Sequence, residues 1–430
     1  MTDVPQPGGP DGPEDEEPGP FGMAGLPNLP GLDFSQLDIA AVMRLLQSEG
    51  PVNWEIAGQV AGYVALDGAT SEAPVPPDAR DELDELARAA ESHVVAETGL
   101  DGVLGLQTRA INRREWVDLH LESLKPVLEA LALTLRKALE EGDGDDPTDV
   151  AGQHPSGGPF GFAMGGGTDP FGGLLTMLAP LLLGVQAGSM VGYLAQHALG
   201  RYDLPLPTAD APSLAFVVPN LEAFEEAWSI DPKDLRFAVA LHEVVHAAER
   251  SVPWVRERLQ HLAIEYVSAY EVDPHAFEAQ FGEIDPSDPS SFAGVAEHPE
   301  ALLGAMQSER QPEILARMQA LTIVLEGYAD VVTERLGSRL LTDFPRIHEA
   351  MQRHHVERGE AGRFIEQMLG LQLERQHYEL GEQFCRGVIE RAGMEGLNRL
   401  WESERMLPTP NELEAPGLWL ARIDLPDLGE

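Results

Sequence analysis

The residues whose types and spacing are fit for chemistry are Leu241-His242-Glu243-Val244-Val245-His246, which read H-E-x-x-H. Histidines four apart on a helix share one face, one above the other. That spacing lets both imidazoles reach one zinc ion at about 2.0–2.1 Å. The glutamate between them then faces a water held by the same metal, where it can serve as general base.

A catalytic zinc keeps three protein ligands and an open position, so a third ligand must come from elsewhere in the chain. Leu325-Glu326-Gly327-Tyr328-Ala329-Asp330 supplies the best candidate. Glu326 and Asp330 share a helix face. Glu326 is the expected ligand. Asp330 is expected behind it, accepting a hydrogen bond from the far nitrogen of a ligating histidine. The flanking Ile323, Val324, Val331 and Val332 argue for burial, and a buried carboxylate needs a partner such as a cation. Glu249 is too near in sequence to be a comfortable third ligand from the same helix. For stabilising an oxyanion the C-terminal part offers His348, His354, His355, His377 and Tyr378, of which Tyr378 is preferred.

The elements that must position these groups read as mostly helical. Asp231-Pro232 is a strong helix start, and the helix that follows carries the H-E-x-x-H motif. Apolar periodicity predicts further helices over 54–65, 78–98, 113–139, 221–228, 254–270 and 312–336, with Gly337 stopping the last. Pro126 is expected to kink the third of these. Asn220 is expected to cap the helix over 221–228. Residues 344–404 also read as helical. An earlier helix is expected, capped by Asp33 or Ser35, with Leu37, Ile39, Ala40, Met43 and Leu45 on its apolar face and Gly50-Pro51 ending it. Ala215 to Pro219 is the clearest strand. The tail from Leu407 is punctuated by prolines and is expected to pack along the body.

Four regions follow from composition. Residues 1–33 are rich in Pro, Gly and acid and are expected to be disordered. Residues 34–140 form an N-terminal helical region. Residues 141–169 read as a flexible Gly-rich linker, and Gly165-Gly166-Gly167 lacks the Lys-Ser/Thr signature of a phosphate loop. Residues 170–430 would hold the metal site and pack with 34–140. A further loop is expected over 273–298.

Residues 170–200 contain no Asp, Glu, Lys or Arg, a length that could span a bilayer. Pro170, Pro180, Gln186, Gln196 and His197 argue instead for a buried core helix or hairpin. Gly184, Gly188 and Gly192 recur every four residues and make a smooth face for close helix contact.

The charge balance, 72 acids against 29 Lys plus Arg and a formal net charge of -43, opposes binding to nucleic acid or anionic membranes. Cys385 is the single cysteine, which excludes an intrachain disulfide and fits a cytoplasmic home. Residues 1–20 show no signal-peptide pattern.

The E-x-x-x-D spacing on a second helix resembles the gluzincin arrangement. Further blocks are Pro51-Val52-Asn53-Trp54, Leu199-Gly200-Arg201-Tyr202-Asp203 and Ala392-Gly393-Met394-Glu395-Gly396-Leu397-Asn398-Arg399-Leu400-Trp401-Glu402. With these the chain resembles the zincin-like metallopeptidase type 2 family of high-GC Gram-positive bacteria. Some members of that family are associated with biosynthesis of a deazaflavin coenzyme. The resemblance implies a mainly α, zincin-like body with at most a small β element, and one zinc ion per chain. It carries over His242 and His246 as ligands, Glu243 as base and Glu326 as third ligand. The expected activity is hydrolysis of a peptide or amide bond in a peptide or protein substrate. The alternative is a zincin-fold interaction or accessory protein without turnover.

Overall fold

The structure is a computed structural model and describes residues 50–141, 170–208, 211–271, 308–356 and 360–425. The expected tail over 1–33, the helix around Leu37, nearly all of the linker and the loop over 273–298 lie outside the described residues.

The long helices follow the apolar periodicities. They are α1 (Trp54–Ala65), α2 (Pro77–Thr98), α3 (Arg113–Glu141), α4 (Pro170–His197), α5 (Val218–Trp228), α6 (Pro232–Ser251) and α7 (Pro253–Ser268). After them come α8 (Gln311–Leu340), α9 (Phe344–Val356), α10 (Glu360–Leu369), α11 (Arg375–Asn398), α12 (Pro410–Glu414) and α13 (Pro416–Ile423). The protein is mainly α. Its sheet has two strands, β1 (Thr108–Ile111) and β2 (Leu214–Val217), paired in parallel with Thr108 opposite Leu214 and Ile111 opposite Val217.

β2 is where a strand was expected. β1 was not foreseen: Thr108-Arg109-Ala110-Ile111 is too short to show a period, and it is ordered by the partner it finds. On its other side β2 takes an antiparallel bridge, Gly200 to Phe216. The Val217 N–H donates to the Leu199 carbonyl at 2.9 Å and the Arg201 N–H to the Ala215 carbonyl at 3.0 Å. Segment 199–203 is thereby fixed as a short edge beside β2.

α6 is the buried centre of this arrangement. Asp231 caps it by accepting the N–H groups of Lys233 and Asp234, with Pro232 in the first turn. Every residue from Ala238 to Arg250 is buried, so the helix has no solvated face there. α2 and α8 pack against it, and α11 packs on α8.

Residues 170–197 form one helix through Pro180, not a hairpin. Among the described residues no helix is long and apolar enough to cross a membrane. The glycine face of α4 meets α1 backbone to backbone. A Cβ on Gly184, Gly188 or Gly192 would lie 2.4, 2.4 and 2.6 Å from the carbonyl oxygens of Asn53, Ala57 and Ala61.

Two helix boundaries differ from expectation. α5 begins at Val218, so Asn220 lies inside it, and its amide donates to the carbonyls of Ala195 and Ala198 rather than capping the helix. α8 runs through Gly337 to Leu340. Gly337 is needed for space: a Cβ there would fall 2.1 Å from the Phe344 ring. The C-terminal tail does pack, with Trp419 buried and its indole N–H on the Met406 carbonyl at 2.6 Å.

Two stability predictions follow from these contacts. Gly188→Val should lower unfolding free energy by about 1–3 kcal/mol or more, since the atoms it meets are backbone; chemical denaturation checks this. Glu97 ties α2 to α8 through Arg335 at 2.7 Å and Arg339 at 2.6 Å. Burial would raise its carboxyl, but the two guanidinium groups outweigh that and hold it below the usual range. Its contribution is therefore present above the unfolded-state pKa and lost as pH falls through the folded-state value. The arginines are well exposed, so Glu97→Gln should cost no more than about 1 kcal/mol at pH 7. That difference should vanish in strongly acidic denaturation curves.

Candidate metal centre

α6 presents His242 and His246 one turn apart, their ring centroids 4.5 Å apart and their planes at 82°. α8 brings Glu326 to the same point. One potential ligand atom from each of the three residues lies within 4.8 Å of the others, and all three residues are buried. His246 Nε2 and Glu326 Oε2 are 3.9 Å apart. Ligands at tetrahedral angles about 2 Å from zinc sit ~3.3 Å apart, so this pair needs only a small inward rotation.

The fit to a metal rests on unsatisfied atoms. His242 Nε2 and His246 Nε2 are both buried with no hydrogen-bond partner. The large majority of buried polar atoms are paired, because an unpaired one costs about 1–3 kcal/mol. Two such nitrogens converging beside a carboxylate are the donor set of a divalent cation of zinc type. Burial and neighbouring positive charge push His242 down to about 3, and burial pushes His246 well below the ordinary value. Both imidazoles are thus neutral at pH 7, the form that ligates.

His246 is oriented from its own helix. In the Nδ1–H tautomer, the one that leaves Nε2 free to ligate, it donates to Glu249 Oε2 at 2.7 Å. Glu249 is fully buried, and burial raises its carboxyl while Arg250, 3.7 Å away, pulls it back. The Arg250 guanidinium lies 4.9 Å from the Tyr202 ring centroid.

Glu243 points toward segment 199–203. The Arg201 N–H donates to its Oε2 at 2.9 Å and the Tyr202 N–H to its Oε1 at 2.9 Å. Gly200 makes room: a Cβ there would lie 2.4 Å from the carboxylate carbon. Burial, helped by the Asp203 carboxylate, pushes Glu243 up to about 8, against the opposing pull of the two N–H groups.

The zincin-like metallopeptidase family matches over residues 52–420, which takes in every described element from α1 to α13 save its outermost residues. The chain belongs to the zincin-like metallopeptidase family. Among solved structures, a chain from Chloroflexus aurantiacus titled "putative hydrolase with a novel fold" aligns over 87% of this chain and 99% of its own. Its TM-score is 0.58 at 24% identity, a likeness of fold alone. No curated protein matches the chain.

Within this zincin-like centre the other expected residues are distributed as follows. Asp330 sits one turn beyond Glu326, among Glu326, Glu334, Glu382 and Arg386. Burial and those carboxylates push it up to about 8. The orienting carboxylate at His246 is Glu249 and not Asp330. Tyr378 is half-buried, its ring parallel to that of His355 at 6.5 Å. The His355 ring in turn lies 5.3 Å from His242. His348 is close enough to His242 to affect it electrostatically. His377 is occupied elsewhere, its Nδ1 accepting the Glu374 N–H in the capping box of α11.

Sequence reasoning missed three features. Asp203 bridges His354 at 3.2 Å and His355 at 3.1 Å. Glu249 serves His246, and segment 199–203 holds Glu243. A carboxylate three residues past the second histidine was a readable signal for Glu249. Asp203 lies 39 positions before His242 and has no local signature.

Orienting partners of ligating histidines are typically worth about 10–100-fold in metal affinity. Glu249→Gln should weaken zinc binding by about that factor in a competition titration against a chromophoric chelator. Asp330→Asn should weaken it less.

Proposed function

We propose that this chain is a zinc-dependent peptidase or amidohydrolase of gluzincin type, with Glu243 handling the proton. The observation that carries the reading is the pair of buried, partnerless Nε2 atoms beside the Glu326 carboxylate. His242, His246 and Glu326 would hold one zinc ion per chain. Zinc in such a site supplies Lewis acidity and lowers the pKa of a water molecule toward about 7.

The chain's own groups do the rest. Glu243 takes a proton from the attacking water as the oxygen adds to the carbonyl carbon. It then gives that proton to the nitrogen as the C–N bond breaks, leaving a carboxylic acid and an amine. The N–H groups of Arg201 and Tyr202 hold the Glu243 carboxylate in a fixed orientation. Tyr378 and the histidines beside it are the candidates to hydrogen-bond the oxygen of the adduct. The substrate is a peptide or protein. The acidic surface speaks against nucleic acid, and the single buried cysteine fits the cytoplasm.

One observation favours a second reading, a zincin-fold accessory protein that binds metal without turnover. Both Glu243 oxygens accept backbone N–H groups and the residue is 1% exposed, so its carboxylate also serves as an internal strut.

The two readings separate on a quenched-fluorescence peptide library with zinc-loaded protein. Glu243→Gln should keep one zinc per chain and lose about 10²–10⁴-fold in turnover. Equal turnover by wild type and variant, or none from either, would remove the hydrolase reading.

A further inference from the structure

Two consecutive peptide groups stand between Glu243 and α3. The first joins Gly200 to Arg201. Its N–H is shared between Glu243 Oε2 at 2.9 Å and the Ala215 carbonyl of β2 at 3.0 Å, and its carbonyl accepts the Trp116 indole N–H at 2.9 Å. The second joins Arg201 to Tyr202. Its N–H donates to Glu243 Oε1 at 2.9 Å, and its carbonyl faces His120 Nε2 at 3.2 Å. Each peptide group therefore binds the base on one side and α3 on the other.

A peptide unit is a rigid plane, so fixing its carbonyl fixes the direction of its N–H. A hydrogen bond at the oxygen also polarises the group and strengthens donation from the nitrogen. Trp116 and His120 are themselves a rigid pair. They lie one turn apart on α3, their rings stacked at 3.6 Å and 14°, and both are fully buried. His120 Nδ1 also faces the Trp116 carbonyl at 3.1 Å, so it is the Nε2–H tautomer that serves the Arg201 carbonyl.

We propose that Trp116 and His120 are positioning residues for the Glu243 carboxylate, acting through the peptide groups of 200–202. The base of the reaction is thereby set from α3, over a hundred positions earlier in the chain. This inference rests on the reading of Glu243 as the proton-handling group only for its kinetic consequence; the mechanical link stands without it.

The test uses the full chain, loaded with zinc. Trp116→Phe removes the indole N–H and keeps an aromatic ring against His120. His120→Leu removes the second donor, whereas His120→Gln retains an N–H. Displacing a reacting group by about 1 Å can cost on the order of 10²-fold. On a peptide cleaved by the wild type, Trp116→Phe and His120→Leu should each lower kcat about tenfold or more. KM and zinc content should stay within about twofold, and His120→Gln should recover most of the loss. Unchanged kcat, or a fall in which KM and zinc content move in step with kcat, overturns the proposal.

A second readout needs no substrate. In a double-mutant cycle, Trp116→Phe should change the unfolding equilibrium constant less when Glu243→Gln is already present, by about fivefold. Multiplicative, independent effects overturn the link even if the enzyme reading holds. A chain inert toward all peptides removes the enzyme reading while the cycle still decides the link. Should Trp116→Phe fail to fold, the same cycle is run with His120→Leu.

Discussion

The constraint on which the structure depends is the burial of a polar stripe inside a helical core. His242, Glu243, His246, Glu249 and Arg250 all lie on α6 and all are at most 4% exposed. Ionisable groups are expensive to bury unless each finds a partner. The surrounding elements can be understood as supplying those partners. Segment 199–203 brings two N–H groups to Glu243. Glu249 takes His246 Nδ1 and Arg250 sits beside both. α8 delivers Glu326. Glu249 Oε1 and the Arg250 Nε and Nη2 are also left without a hydrogen bond, but the two Nε2 atoms converge beside Glu326, and a cation is the partner their geometry suits.

Much of this was legible in the sequence where the signal was local. The H-E-x-x-H spacing states its own geometry on a helix, and Glu326 followed from a second apolar helix that carries it and Asp330 on one face. The glycine repeat of α4 announced a close helix contact, and it makes one with α1. Other features were illegible because their causes are distant. β1 is a strand only beside β2. Gly337 looked like a helix stop because its reason for being there is the ring of Phe344. Asp203 gathers His354 and His355 across about 150 positions, and no spacing rule reaches that far.

The same distance explains why the N-terminal helices matter. By composition, residues 34–140 read as a helical region set off by a Gly-rich stretch and expected to pack with 170–430. In the structure α2 packs on α6, and Trp116 and His120 of α3 bond the carbonyls behind the base. The site is thus assembled from α3, the 199–203 edge, α6, α8 and α9. Short motifs name the reacting groups, while the groups that hold them still are scattered through the chain.

The central claim is that His242, His246 and Glu326 hold one metal ion. Zinc quantification on the purified full chain, joined to X-ray absorption at the zinc edge, tests it most directly. The account predicts one zinc per chain with a first shell of nitrogen and oxygen at about 2.0–2.1 Å, including two imidazoles. In Glu326→Gln the affinity should fall while the two-imidazole signature persists. Protein that takes up no stoichiometric zinc, or a first shell containing sulfur or a third imidazole, would contradict it.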